Sequence, residues 1–156
     1  MHAANYPPSS AARFLNCHGS VDVVKLYPEE ASVHSDKGDE SHDILESSVV
    51  FGTPPYGSDP DIIEGVQLAL DWIKERRRKY GPECRVYAEQ RYDIIETGEF
   101  GTADITLVSP QVLHIADYKN GYVPVDIEGN EQLLMYLLGA IAKYGERPHY
   151  VITVIQ

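Results

Sequence analysis

Cysteine is scarce. The 156-residue chain holds only Cys17 and Cys84, too few for a disulfide framework or a four-cysteine metal knuckle, and such sparse use fits a reducing compartment rather than secretion. Long apolar runs are missing as well: nothing approaches the roughly 20 residues a membrane helix needs, and Met1 to Ser10 lacks the basic-then-apolar order of a signal peptide. The expectation is a soluble, cytoplasmic protein with no membrane partner. Positive charge is in deficit, with 13 Lys and Arg against 24 Asp and Glu and a net charge of -11, which speaks against a protein that coats nucleic acid indiscriminately. There is no glycine-rich phosphate loop, no evident Ser/His/Asp arrangement, no internal repeat and no low-complexity tract.

What is present is ample apolar content, 43% of residues, enough for one sizeable core and hence one domain over residues 1–156. Residues 1–9 read as a loose, proline-bearing lead-in, after which Ser9 or Ser10 can cap a short helix through Asn16, with Gly19 as its stop. A second helix is predicted from Asp36, as N-cap, to Val50, and Gly52 to Ser58 ends it. Asp59-Pro60 opens a third, in which Ile62, Ile63, Val66, Ala69, Leu70 and Ile73 repeat at helical spacing until Gly81-Pro82. The period then shortens: Arg85–Ile95, Thr102–Val108 and Val112–Lys119 read as a three-stranded meander. Glu131 to Tyr144 returns to helical spacing between Asn130 and Gly145, and His149–Ile155 is a last strand. The fold class expected is α/β, a mixed central sheet flanked by helices. Because that strand runs to Gln156 without a closing turn, a longer parent chain is an open expectation.

Carboxylates gather on the predicted meander: Glu89 on its first strand, Asp104 on its second, Asp117 with Lys119 on its third. Period two puts Asp117 and Lys119 on one face, and neighbouring strands can bring Asp104 and Glu89 alongside. Crowded carboxylates repel unless a hard divalent cation joins them, so the face reads as a Mg2+ site suited to phosphodiester hydrolysis. On the following helix Gln132 and Tyr136 stand four apart and share a face, where they could hold a phosphate or simply pack in the core. His42 and Glu46 are likewise four apart; an imidazole can join carboxylates around Mn2+ or Mg2+, but His42 by itself reads as a surface or capping residue. Lys74 to Lys79 holds five of the thirteen cations, so phosphate contact is expected at Arg76, Arg77, Arg78 and Lys79.

Taken together, Gly38-x-x-x-His42, Glu89, Asp104, Asp117-Tyr118-Lys119 and Gln132-x-x-x-Tyr136 resemble the PD-(D/E)XK nuclease superfamily in its RecB-like and lambda-exonuclease-like branch. Arg13 to Ser20, Phe100 to Asp104, Asp117 to Gly121 and Gly129 to Leu133 look more closely like an uncharacterised family common in phages and prophages. The resemblance implies a restriction-endonuclease-like αβββαβ core. It makes Asp104 and Asp117 the principal metal ligands, with the Tyr118 carbonyl completing the shell, His42 an additional ligand, Lys119 the catalytic lysine and Glu89 a supporting acid. Gln132 and Tyr136 would orient the lysine or grip a DNA phosphate. The implied activity is Mg2+- or Mn2+-dependent DNA hydrolysis, as an exonuclease in phage recombination or replication, with DNA and a phage recombination protein as partners, an oligomer as one assembly, and the host cytoplasm as location. A structure-specific endonuclease is the alternative within the class. A non-catalytic DNA-binding or assembly module that keeps the fold is the alternative outside it.

Overall fold

The computed structural model describes residues 7–27, 33–95, 99–121 and 125–156. A short 3-10 turn at Pro8–Ser10 leads into α1 (Ala11–Asn16), α2 (Ser20–Leu26), α3 (Val33–Phe51) and α4 (Pro60–Tyr80). Then come β1 (Arg85–Ile95), β2 (Glu99–Val108), β3 (Val112–Tyr118), α5 (Glu131–Tyr144) and β4 (His149–Ile155). The strands form one sheet in the order β1-β2-β3-β4, antiparallel except for the parallel β3/β4 pair. This is the mixed α/β sheet expected from the change of period.

Local chemistry accounts for the element ends. The Asp59 side chain accepts from the Asp61 N–H at 3.1 Å, and Pro60, whose missing N–H costs nothing in a first turn, fixes the start of α4. The Asn130 side chain accepts from Leu133 N–H at 3.0 Å to open α5, and Gly145 closes it at φ 79°. Helices cover both faces of the sheet. Ile44, Leu45, Ile62, Val66, Ala69 and Ile73 from α3 and α4 bury against Ile105, Leu107, Ala116 and Tyr118. Leu133, Tyr136 and Ala140 from α5 bury against Tyr92, Leu113 and Ile115 on the other face. Covered on both sides, β3 is buried from Leu113 to Tyr118, which explains its nearly continuous apolar sequence.

Four sequence expectations need correction. Gly19 is not a stop but the N-cap of α2, a helix the sequence reading left out; Val21 and Val24, three apart, give it a half-buried stripe. Asp36 is not an N-cap, because α3 already runs from Val33. The lead-in is shorter than residues 1–9, since Pro8 is buried against the sheet; residues 1–6 lie outside the described residues. β2 starts at Glu99 rather than Thr102: Gly101 looks like a turn residue, yet it pairs with Tyr92 inside the ladder. A Cβ there would sit 2.4 Å from Pro8 Cγ and 2.6 Å from Tyr136 Cε1, so the glycine serves close packing.

At the end of the sheet away from Asp117, the buried His114 ring lies between Tyr80 and Thr153, with each ring nitrogen 2.8 Å from a hydroxyl oxygen. Burial, with Arg76 and Lys79 nearby, pushes its pKa down to about 4. The folded state therefore keeps His114 neutral while the unfolded chain takes a proton below about pH 6.5. Its contribution to stability is complete above that pH, is lost progressively as pH falls towards 4, and amounts to about 3 kcal/mol over the window. The stability gap in urea between parent and His114→Gln should narrow by that order from pH 7 to pH 4; a constant gap would contradict it.

Candidate metal centre

Three strands and two helices meet where β3 ends. The pairs Ala88 with Ile105 and Gln90 with Ala103 put Glu89 across from Asp104, and the β2/β3 register carried one residue beyond Ile105 and Ala116 puts Asp104 beside Asp117. Three carboxylates thus stand in a row across neighbouring strands, an arrangement that is repulsive without a counter-charge. Glu89 has a left-handed φ of 44°, the one non-glycine positive φ among the described residues. That conformation breaks the alternation of β1: Tyr87 and Tyr92, five apart, both pack in the α5-side core, whereas Val86 and Ala88 pack against α3 and α4. A carboxylate-bearing residue held in this strained region is a familiar mark of a functional position.

His42 reaches the same point from α3. Its Nδ1 lies 3.6 Å from Glu89 Oε1 and 3.4 Å from Asp104 Oδ1, and one ligand atom from each of the three falls within 4.8 Å of the others. Such spacing suits neighbouring ligands around one divalent ion, and one imidazole with two carboxylates is a donor set for Mn2+ or Mg2+. Asp104 Oδ2 accepts from the Tyr118 N–H at 2.7 Å, leaving Oδ1 turned to His42. Burial foremost raises the Asp104 carboxyl to about 6; the nearby Asp117 and Glu89 charges raise it too, and His42 works the other way. For His42 burial acts downward, but the bond to Glu89 and the charges of Asp104 and Glu89 outweigh it and the pKa is raised.

Asp117 stands beside this triad. Its Oδ2 is 3.0 Å from Lys119 Nζ, and its Oδ1 accepts from Gln132 Nε2 at 3.3 Å. Gln132 also donates to the Tyr136 hydroxyl at 3.3 Å. Burial pushes the Tyr136 phenol up to about 12, so it stays protonated and can donate. The structure therefore gathers His42, Glu89, Asp104, Asp117, Lys119, Gln132 and Tyr136, while Tyr118 takes part through its N–H. Arg76, Arg77, Arg78 and Lys79 are not gathered. α4 passes the site at Gly65, and Arg77 lies twelve residues on, about 18 Å along the helix axis.

Sequence reasoning missed Gly65, whose position inside a helix gives no local signal. A Cβ there would lie 2.7 Å from the Tyr118 hydroxyl and 3.2 Å from Asn120 Oδ1, and the Tyr118 ring meets His42 edge-on at 5.7 Å between centroids. Gly65→Ala should gain up to about 1 kcal/mol of helix propensity yet lose more by pushing a buried ring, for a net destabilisation of about 1–2 kcal/mol. Chemical denaturation checks it. Restoration by Tyr118→Phe in the same chain would locate the clash, and a stabilised single variant would refute it.

A mixed α/β sheet whose strand ends carry a His–Glu–Asp cluster beside an Asp–Lys pair thus defines a domain with a candidate metal centre. The chain belongs to the family described as protein of unknown function (DUF2800), whose model matches residues 2–147. No solved structure matches the chain.

Proposed function

We propose that this protein is a divalent-metal-dependent deoxyribonuclease that hydrolyses phosphodiester bonds, in the manner of an exonuclease acting in phage recombination or replication. The observation that carries the reading is the convergence of His42, Glu89 and Asp104 on one point within 4.8 Å, next to a lysine paired with a fourth acid. His42, Glu89 and Asp104 would hold Mg2+ or Mn2+, with Asp117 adjoining. When bound, the ion supplies polarisation of a phosphoryl oxygen and a lowered pKa for water.

The remaining roles belong to the chain's own side chains. Lys119, held 3.0 Å from Asp117, has no lone pair while protonated; it offers positive charge to phosphate oxygens as they gain negative charge. Gln132 fixes Asp117 from the opposite side and tethers Tyr136. With both Gln132 N–H groups so engaged, the Tyr136 hydroxyl is the one of the two that can donate to a phosphate, which orients the strand without reading its sequence.

The test is incubation of the pure protein with linear duplex, closed circular and single-stranded DNA, with Mg2+, with Mn2+ and with chelator. Metal-dependent loss of linear DNA alone supports the exonuclease; cutting of circles moves the assignment to an endonuclease. No cleavage with either metal would sink the nuclease reading in favour of a non-catalytic module.

A further inference from the structure

The cation cluster of α4 is not used by the metal centre, and it belongs to a larger surface. Two open grooves run along the outer face of this helix and meet at Asp71. One, of about 700 Å³, is walled by Pro54, Pro55 and Pro60 and floored by Ile63 and Leu68, with Glu64 at its rim. The other, of about 790 Å³, is lined by Lys74, Glu75, Arg77 and Arg78 up to Gly81 and Pro82. The first contains acids and no base; the second holds the bases, with Glu75 among them and Asp71 at the junction. Leu68, 53% exposed, lies near the middle of the helix, and Tyr56, 57% exposed, follows the proline wall. Among the described residues, Asp61, Glu64, Lys74, Arg77 and Arg78 make no ion pair within the chain.

We infer that this face is the contact between two copies of the chain, with the two α4 helices antiparallel. A two-fold axis near the helix centre lays the acidic half, Asp61 and Glu64, of one copy along the basic half, Lys74, Arg77 and Arg78, of the other, and by symmetry does so twice. Leu68, near the axis, meets its own counterpart in the middle, where an apolar centre within a polar rim is the ordinary anatomy of an interface. Self-complementarity is what selects a second copy here: on a chain of net charge -11, the outer face of α4 is a surface where acids and bases nearly balance, with acids alone in its first half and the bases, interrupted by Glu75, in its second. The inference is independent of the nuclease reading, because α4 leaves the metal centre at Gly65.

Sedimentation velocity on the whole chain, from about 1 to 100 µM, tests this with charge reversals at exposed positions. The parent should show a monomer–dimer equilibrium that weakens with added salt. Asp61→Lys with Glu64→Lys should weaken the dimer at least tenfold, although it brings the net charge nearer zero and so would favour association if overall repulsion governed. Arg77→Glu with Arg78→Glu should weaken it similarly. The four reversals together should restore it to within about threefold of the parent, since the segregation is then inverted but still self-complementary. Circular dichroism confirms folding of each variant. A parent that stays monomeric throughout, or a fourfold variant as weak as the double variants, overturns the proposal. A monomeric parent whose Arg77→Glu/Arg78→Glu form binds DNA less tightly would assign the cluster to nucleic acid instead.

Discussion

Lys119→Met is expected to lower DNA cleavage by about 10²–10³-fold while leaving Mn2+ affinity within a few-fold of the parent. Methionine keeps the length and apolar character of the stem and removes the ammonium that sits 3.0 Å from Asp117 Oδ2. A protonated lysine cannot ligate metal, so its loss acts on the reaction and not on metal loading. The size follows from losing roughly 3–4 kcal/mol of stabilisation realised only as phosphate charge develops. Single-turnover cleavage and calorimetric Mn2+ titration separate the two quantities. If the variant degraded DNA at the parental rate, Lys119 would be a surface lysine paired with Asp117 and no more.

Asp104→Asn should do the opposite to binding and stability at once. Metal affinity is expected to fall by at least about 10²-fold, because the amide cannot replace a charged ligand of a hard cation. The fold should gain about 2 kcal/mol at pH 7. Ionised Asp104 is costly because burial raises its carboxyl to about 6, and asparagine can still accept the Tyr118 N–H that now bonds Oδ2 at 2.7 Å. In sign, a carboxyl whose folded pKa lies above its unfolded value destabilises the protein at pH values above both. The advantage of the amide should therefore shrink as pH falls from about 6 to 4 and vanish where aspartate is protonated in both states. Thermal melts without metal at pH 7 and pH 4, compared with melts in Mn2+, check both halves. A variant both less stable and equally responsive to Mn2+ would take Asp104 out of the metal centre. The pairing of lost function with gained stability is what a site built against its own electrostatics should show.

Much of the architecture was legible without coordinates, because the signals are local. The Asp59-Pro60 start, the Asn130 cap and the Gly145 stop each act within one turn of the residue that carries them, and the change from period 3.6 to period two at Arg85 marks where helices give way to the sheet. The pairing of Asp117 with Lys119 was also local, two residues apart at a strand end. Signals weakened where a residue does two things: Gly101 reads as a turn but sits in a strand, because Pro8 and Tyr136 occupy the space a side chain would need.

The candidate metal centre, by contrast, depends on contacts between residues far apart in the chain. The amino-acid order by itself determined the class of fold, the helix caps and the identity of the acids near the strand ends. Only tertiary structure decided that His42 turns into the site rather than to solvent, that Glu89 leaves the alternation of β1 to meet it, and that the α4 cations lie about 18 Å along their helix from Gly65. The reason is physical: caps and periodicity are fixed by neighbours three or four residues away, whereas the approach of α3 to β1 and β2 depends on how Ile44 and Leu45 pack against the sheet with α4 beneath them.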